Sequence, residues 1–498
     1  MAIHETEILN NPGQYNLSQL DIISYQQQKD ESAPKVIDIK GIADLVELHE
    51  DILTNTLYGS VTVYDTQDIR SILPLTGLER LSLVLNTPGL PGYDYRHETG
   101  TPFHIYKVDK ITKVLGKDNA QYYQIFFCSP EFINNQLETV SKAYAGPIEN
   151  AVNDIVKNKL KSKKPFYFEN TATNAKYVIP SLKPLKAINY LASQSVSGKY
   201  HNSGYLFYET AKGFHFRSIE SLLAVGGSVA RPARWVYQTQ VQLNLDNAEK
   251  KQPEVKDIET RMQNVIRYDF DKQTDILGNI MGGMYANRLV VHDAFNKTIK
   301  THDFDYIKEF EKSYHTETIG DELDHKKHIL PDAQYNDTGK GLNEYANSKK
   351  MVVAETSKVH NDYEFVPTKD TLPIKTSQRQ SLHNNLLSMI VHGNSVLGAG
   401  DIISFDLPLL KPIREGETQQ PNPYISGRYL ITSIKHMIST EMGKYQMSLK
   451  CSKDAVKEGY IPETNAYQSK KEEPAVYDIY EEDRLILSKI DINPVDYT

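Results

Sequence analysis

Two segments toward the end of the chain show the clearest pattern of hydrophobic and polar positions. The first covers residues 428–438, and the second covers residues 444–451. In the second segment polar residues alternate with apolar ones, and the apolar face carries Tyr445, Met447, Leu449 and Cys451. A period of two is typical of a half-buried antiparallel strand. Residues 439–443 form a short connection with a glycine, so the two segments predict a β-hairpin.

A similar hairpin pattern occurs much earlier in the chain. Residues 103–111 resemble the first strand, and the strand that follows carries on one face Tyr122, Gln124, Phe126 and Cys128. The only two cysteines of the chain, Cys128 and Cys451, then stand at matching strand ends. Upstream of each hairpin, residues 77–83 match residues 400–405. We therefore predict two copies of one small β-domain; the alternative is that two unrelated amphipathic hairpins share the same pattern.

The regions between the copies have a different character. Helical spacing of apolar residues, followed by two aromatic strands at 204–217, predicts an inserted α+β domain. Residues 313–375 are polar, and because a structureless loop of this length is uncommon in a compact domain, they predict an excursion that contacts a partner. We predict a mixed, β-dominated (α+β) fold. Its first half consists of an N-terminal arm (1–15), a first antiparallel β-barrel domain (16–130) and the inserted α+β domain (131–232). The rest consists of a connecting region with strands and the polar excursion (233–375), a second β-barrel (376–455, with a strand near 235–241) and an extended C-terminal tail (456–498).

Composition narrows the class of protein. The 498 residues are enough for about three or four domains, and 39% hydrophobic with 24% charged residues is ordinary for a soluble globular protein. The net charge of -8 argues against a basic nucleic-acid-binding surface. Two cysteines without a CxxC motif predict buried core thiols in a reducing cytoplasm rather than disulfides or zinc. We expect no signal peptide in the polar first residues and no membrane span.

Candidate chemistry is sparse. A cluster of histidines and acidic residues could hold a metal, but its spacing fits no motif and its polar surroundings favour a solvated loop; its members are His315, Asp321, Glu322, Asp324, His325 and His328. The glycines at 339–341 and 398–400 lack the spacing of phosphate or dinucleotide loops. The 64 acidic residues leave a glycosidase pair open, yet nothing marks one acid as buried beside another. We expect no catalytic residue, no metal and no cofactor.

Five stretches of the chain carry a further signal in their order and spacing: residues 57–65, 73–79, 204–217, 393–408 and 427–454. Taken together they resemble the baseplate hub proteins of contractile-tailed (myovirus-type) bacteriophages, and the similarity covers the chain from about residue 16 to 455. No single stretch is a sharp motif. The polar residues 313–375 and the tail after 455 lie outside the resemblance. Related hub domains occur in the spike proteins of type VI secretion systems, where the spike and the hub form one chain.

The resemblance implies a particular assembly. Two tail-tube-like β-barrels in each chain of a homotrimer would form a pseudo-sixfold ring, matching the hexameric tail tube or its initiator protein on one side and the trimeric central spike on the other. Other baseplate or tape-measure proteins would be further partners. DNA would pass through the channel during genome ejection without specific binding, and the acidic balance suits such a lumen. The implied protein is structural, not an enzyme; it belongs to the virion tail baseplate and is assembled in the host cytoplasm. No β-helix repeat is present, so the spike is expected to be a separate protein.

The C-terminal tail supplies our one candidate for a partner-binding segment, and two rival functions remain. An apolar run follows an acidic stretch in the tail, which suits a segment that orders on a partner; packing on its own subunit is the alternative. The run consists of Leu485, Ile486 and Leu487. A tail-associated cell-wall hydrolase would need a catalytic acid with a partner in a cleft. A carbohydrate-binding adsorption module would need exposed aromatic rings, whereas the alternation of Tyr205, Phe207, Phe214 and Phe216 predicts a buried face.

Overall fold

Antiparallel strands dominate the structure, a computed structural model. The hairpin predicted from the alternation at residues 428–451 is present, and so is its counterpart near residue 103. The described residues are 8–24, 35–114, 120–172, 174–200, 203–225, 229–239, 255–294, 296–318, 327–330, 334–335, 339–354, 368–409 and 420–457.

The first part of the chain is almost entirely strand. Its alternating residues place one face in the core; in the third strand Val46 and Leu48 are fully buried. The elements are β1 (Asn16–Ser24), β2 (Lys35–Asp38), β3 (Ala43–Asp51), β4 (Tyr58–Asp65), α1 (Ile69–Ile72), β5 (Arg80–Asn86), β6 (Tyr93–Tyr95), β7 (Phe103–Lys113) and β8 (Gln121–Cys128).

The next part is the inserted α+β region. Proline starts two of its helices, as is common at the first helical turn, and the Ser218 side chain caps the last one by accepting the amide N–H of Ser221. The region has its own apolar core. Its elements are α2 (Pro130–Leu137), β9 (Val140–Pro147), α3 (Ile148–Asp154) continued by a π-helical turn (Ile155–Lys159), β10 (Phe166–Phe168), β11 (Asn174–Leu182), α4 (Pro184–Gln194), β12 (Tyr205–Thr210), β13 (Gly213–Ser218), α5 (Ile219–Leu223), β14 (Ala224–Val225) and β15 (Val229–Ala230).

The connecting region is more ordered than its polar sequence predicts. A strand from the polar stretch, β23, pairs in parallel with β18, so part of this stretch folds back onto the chain. The elements are β16 (Trp235–Gln238), α6 (Val255–Met262), β17 (Val265–Lys272), α7 (Ile276–Gly282), β18 (Ala286–Asp293), β19 (Thr298–Asp305), α8 (Tyr306–Phe310), β20 (Lys327–His328), β21 (Gln334–Tyr335), β22 (Lys340–Gly341), two 3₁₀ turns (Leu342–Glu344 and Ala346–Ser348), β23 (Lys350–Ala354) and α9 (Thr368–Ser381).

The last part completes the main sheet. Its elements are β24 (Asn385–His392), β25 (Ile402–Asp406), β26 (Gly427–Ser439), β27 (Lys444–Lys453) and β28 (Ala455–Val456). The central path of the sheet runs β17-β24-β27-β26-β3-β4-β8-β7-β5-β1-β2, with β6 beside β5 and with β25 and β16 continuing from β26. Strands from both ends of the chain therefore share one sheet and one apolar core.

The β-dominated fold class is confirmed, but the two separate barrels are not. In the part of the chain that the structure describes, neither group of strands closes on itself. Only an isolated bridge, Gln238 to Asn264, approaches closure in the second group. The reason is that β26 bonds to β3 along seven residue pairs, so an edge that a closed barrel would use internally joins the two groups instead. Within the described residues, we find no helix with the length and apolarity needed to cross a bilayer. The predicted domain boundaries stay predictions.

Candidate functional site

The main sheet contains two groups of five strands with the same order. Unit 1 is β3-β4-β8-β7-β5, and unit 2 is β17-β24-β27-β26-β25. All neighbouring strands within each unit are antiparallel. Two amphipathic hairpins alone could resemble each other by chance, but five strands in one order, separated by unrelated insertions, indicate a repeated architecture.

The irregularities of the two units also coincide. In unit 1 the β7·β8 ladder shifts register between Ile105 and Lys107, and in unit 2 the β26·β27 ladder shifts between Ile431 and Ser433. Ile105 and Ile431 are counterparts, because each is the last paired residue before its shift. Both residues are buried. A β-bulge is a specific local feature rather than a general property of strands. Its repetition at the same place supports the duplication that the sequence predicted.

A second bulge is shared by the strands on the other side of each unit. The β3·β4 ladder shifts between Ala43 and Leu45, and the β17·β24 ladder shifts between Val265 and Arg267. Following the pairs across the sheet makes Glu47 the counterpart of Asp269. The two units therefore share two bulges and the register around them, while β7·β8 and β17·β24 each carry one further shift, at Asp109/Thr112 and at Phe270/Lys272.

The loops before β5 and β25 repeat a hydrogen-bond pattern as well. The Glu79 carboxylate accepts the amide N–H of Thr76, three residues earlier, and Asp401 accepts that of Gly398 at the same offset. The carbonyl of each acidic residue accepts an amide N–H from the neighbouring strand, Ile105 in unit 1 and Ile431 in unit 2. Burial alone would raise the pKa of the Glu79 carboxyl, but the backbone N–H groups of Thr76, Gly77 and Glu79 itself, together with the Thr76 hydroxyl, hold it below its ordinary value.

Two expectations about unit 1 need correction. The predicted face with Tyr122 and Cys128 is not the core face of β8; the main core takes Tyr123, Ile125 and Phe127 instead. Both faces carry aromatic residues, so alternation alone did not distinguish them. The matching bulges also align Phe127 with Cys451, which leaves Cys128 one residue out of register with the other cysteine. Both thiols are buried and free, as predicted.

The junction between the units is an antiparallel ladder of β26 with β3. It runs from the pair Ser433–Asp51 to the pair Ser439–Leu45. The Lys435 ammonium lies 2.5 Å from the Glu47 carboxylate across the ladder. Apolar residues of both strands enter the same core; they are Val46, Leu48, Ile434 and Ile438. The junction is therefore built like the interior of a sheet, not like a contact between separate domains.

A chain of buried hydrogen bonds crosses this junction. The Tyr445 hydroxyl lies 2.7 Å from Nδ1 of His436, whose Nε2 lies 2.7 Å from the Tyr93 hydroxyl. Tyr93 donates to Oε1 of Glu50 over 2.7 Å. When Glu50 is ionised, Tyr93 donates its only proton to it, so His436 must donate from Nε2 and accept at Nδ1. Burial lowers the pKa of His436 to about 3, so the ring is neutral, as this chain of bonds requires.

Glu50 ties three parts of the chain together. Besides Tyr93, its carboxylate accepts the amide N–H groups of Ala211, at the tip of the β12–β13 turn, and Ala399, in the loop before β25. Burial raises the Glu50 pKa to about 7, and these hydrogen bonds oppose the rise. The side chain thus fixes the relative positions of both units and the inserted region. No sequence motif marks it, because it looks like one more acid in an alternating strand.

A second buried cluster joins the inserted region to unit 1. The Lys164 ammonium lies 2.5 Å from Glu209 and 2.9 Å from Glu131, and all three side chains are at most 5% exposed. Glu209 also accepts the Ser129 hydroxyl and the Leu57 amide. Burial would lower the Lys164 pKa, but the two carboxylates outweigh it and raise the value. With a cation between the carboxylates and no exposed face, the geometry suits a structural tie and not acid–base chemistry on a substrate.

Most of the residues predicted as site candidates lie outside the described residues. Leu485, Ile486 and Leu487 lie outside the described residues. Of the histidine and acid cluster, His315 is partly buried and lies 2.8 Å from Asp454, which raises its pKa against the effect of burial. The members Asp321, Glu322, Asp324 and His325 lie outside the described residues. The described part of the chain contains no group of three or more His, Cys, Asp or Glu side chains placed to hold a metal ion.

The aromatic face predicted for the inserted hairpin is a core face. Phe207 and Phe214 stack with ring centroids 5.3 Å apart, and Tyr205 packs on Phe216 at 4.9 Å. All four rings are at most 3% exposed. A binding platform for sugars needs open ring faces, and these rings offer none.

Comparisons with known proteins give structural neighbours only. No family model and no curated protein matches the chain. The tail protein from Neisseria meningitidis MC58 is 10% identical with a TM-score of 0.49, over 89% of this chain and 97% of that one. The 43 kDa tail protein of prophage MuSo2 from Shewanella oneidensis is 9% identical with a TM-score of 0.47, over 88% of this chain and 100% of that one.

The E. coli c3393 protein, a component of the type VI secretion system with structural similarity to the bacteriophage T4 tail proteins gp27 and gp5, is 8% identical with a TM-score of 0.39. Here the match covers 90% of this chain and 79% of that one. With TM-scores below 0.5, these matches do not carry a function over to this chain. The three solved structures named here are two tail proteins and one component of a type VI secretion system.

Proposed function

We propose that this chain is a structural baseplate hub protein of a contractile phage tail. The observation that carries the proposal is the duplication: two units with the same five-strand order and two shared bulges, joined edge to edge by β26 and β3. Two equivalent units in each chain give six equivalent units in a trimer. Such a ring would match a sixfold tail tube on one side while keeping threefold symmetry for a central spike on the other.

The asymmetry of the chain fits this role. The inserted α+β region follows β8 of unit 1, whereas the chain after β27 of unit 2 continues into the short β28 within the described residues. Features that occur once in each chain appear three times in a trimer, while the duplicated strands appear six times. We assign the sixfold side to the duplicated sheet, and the threefold side to the parts present once.

The channel and the partners follow from the same proposal. The net charge of -8 disfavours retention of DNA, which suits passage without specific binding. The partners would be a tail tube or tube-initiator protein, a separate central spike protein, and other baseplate or tape-measure proteins, with the assembly located at the virion baseplate. The role is non-enzymatic, because the buried acidic groups at the junction and at Lys164 act as structural ties.

The test is the mass of the purified full chain in solution, measured by light scattering and paired with electron microscopy. We expect three times the chain mass of 56.7 kDa and a ring with an open channel and six similar lobes. A compact monomer that also cleared peptidoglycan in a zymogram would refute the structural role. A closed ring of any other number would refute the trimer.

A further inference from the structure

The second half of β7 is an open sheet edge. β5 pairs only with the beginning of β7, at His104 and Phe103. Beyond this point β7 has β8 on one side, and no strand among the described residues bonds to its other side. The equivalent half of β26 in unit 2 is bonded to β3. Unit 1 therefore exposes the edge that unit 2 uses for the internal junction.

The opposite edge is open at the far end of the sheet. β17 pairs with β24, and within the described residues no strand ladder forms on its other side. Its equivalent in unit 1 is β3, which is bonded on both sides, to β4 and to β26. Each unit thus has one edge of each kind. Within the described residues, the chain joins one pair of edges internally and leaves the complementary pair without a strand ladder.

We infer that β7 of one copy pairs antiparallel with β17 of a second copy, repeating the internal β26·β3 junction between chains. The inference rests on the proposed ring and specifies the surface that closes it. Because the two edges are different surfaces, the contact is heterologous and propagates head to tail, which closed rings require. The occupant of each edge is a second copy of this chain.

The register of the contact follows from the internal junction. There, Met437 lies opposite Glu47. Thr112 lies opposite Tyr122 in β8, and Met437 lies opposite Gln446 in β27. Because Tyr122 and Gln446 are counterparts in the two units, Thr112 is the counterpart of Met437. Asp269 is the counterpart of Glu47. The inferred contact therefore places Thr112 of one copy opposite Asp269 of the next.

The side chains on the two edges suit burial. Large apolar side chains are exposed on both: Tyr106 and Ile111 on β7 are 44% and 50% exposed, and Ile266 and Tyr268 on β17 are 44% and 37% exposed. Open edges with apolar residues invite strand addition unless something restricts it. On β7 the restriction is a register shift between Asp109 and Thr112 that β26 lacks, and β17 carries its own additional shift between Phe270 and Lys272. A bulged edge accepts only a partner of matching shape.

The experiment is cysteine cross-linking of the full chain with Thr112→Cys and Asp269→Cys combined. Directly opposed residues of antiparallel strands have Cα atoms about 4.5–5.5 Å apart, a separation that a disulfide spans. Both positions are exposed, so the substitutions leave the core intact. The natural cysteines are buried and do not compete. After mild oxidation, a denaturing gel without reductant should show most of the protein as covalently linked chains, up to three.

Three controls define the contact. Thr112→Cys alone and Asp269→Cys alone should give no linked chains, because a heterologous contact brings no residue next to its own copy. Thr112→Cys combined with Val36→Cys should also give no linked chains. Val36 is exposed like Asp269, but it lies on β2, at the end of the sheet opposite to β17. A linked species from Thr112→Cys alone would indicate a two-fold contact and overturn the inference.

The outcomes separate this inference from the proposed function. A ring seen by electron microscopy without the Thr112–Asp269 cross-link would overturn the edge pairing and leave the ring standing. A cross-linked ladder extending beyond three chains would support the edge pairing and overturn the trimer. A monomer without cross-links would overturn both.

Discussion

Replacing Glu50 by glutamine should remove one defined dependence of stability on pH. Burial at the junction raises the Glu50 pKa to about 7, whereas in the unfolded chain the carboxyl titrates near 4.5. Between these two values the folded state holds the proton and the unfolded state does not. Protonation therefore stabilises the fold: the contribution is fully present below about pH 4.5 and is lost as the pH rises through about 7.

The size of the effect follows from the two pKa values. One pKa unit corresponds to about 1.4 kcal/mol, so the rise from 4.5 to about 7 costs the folded state about 3.4 kcal/mol once Glu50 is fully ionised. Part of this loss has already occurred at pH 5. Between pH 5 and pH 8 the wild-type protein should therefore lose about 2.5 kcal/mol through this group. Glu50→Gln cannot ionise and should lack this loss.

The assay uses the single tryptophan of the chain. Trp235 lies buried in β16, which pairs with β25 of unit 2, so its fluorescence reports unfolding of that unit. Urea unfolding at pH 5 and pH 8 gives the free energy for each protein. Glu50→Gln also removes one hydrogen-bond acceptor, and this change alters the free energy of unfolding of the variant by the same amount at pH 5 and at pH 8. The difference between variant and wild type should move by about 2.5 kcal/mol in favour of the variant as the pH rises.

Asp401→Asn is the matched control in unit 2. Burial would raise the Asp401 pKa, but Arg234 and other nearby cations and the Gly398 amide hold it below its ordinary value. Its stabilising contribution is therefore present above about pH 4 and is lost only at more acidic pH. The variant should keep the wild-type slope between pH 5 and pH 8. If Glu50→Gln kept that slope as well, the raised pKa of Glu50 would be refuted.

Two further predictions concern the buried contacts. Lys164→Met should destabilise the protein by about 3–5 kcal/mol, because two buried carboxylates lose their cation. Adding Glu131→Gln and Glu209→Gln should restore much of the melting temperature. A triple variant as unstable as the single one would argue against this cause. Ile434→Ala should cost about 2–5 kcal/mol at the junction, measured by Trp235 fluorescence. Val178→Ala, at a side chain that is 66% exposed, should change little, and equal losses for both would contradict the packing argument.

Much of the fold was predictable from local patterns. The two hairpins, the inserted aromatic strands and the Ser218 cap all follow from residues close together in sequence. The strand β17 was not predicted, and β3 was not singled out within the predicted first β-domain. The core face of β3 carries the charged residue Glu50, and most positions of β17 are exposed, so neither shows a clean apolar face. Yet these two strands carry the internal junction and the open edge.

The pairing of strands was less predictable than the strands themselves. The contact between Ser433 and Glu50 joins residues 383 positions apart. Alternation with a period of two shows which residues share a face, but any edge strand with the same alternation could be the partner. The buried groups around Glu50 and Lys164 have the same limit, because an isolated Glu or Lys in the sequence looks like a surface residue until its partners are known.

Joining the two units in one polypeptide changes how the sheet comes together. The β26·β3 ladder forms between segments of the same chain, so its formation does not depend on protein concentration, whereas a contact between chains does. In the proposed ring, six separate one-unit chains would need five productive collisions before the last closure, whereas three two-unit chains would need only two. The duplication would thus move half of the contacts of that ring from bimolecular assembly into folding, and it makes odd-numbered sets of units impossible.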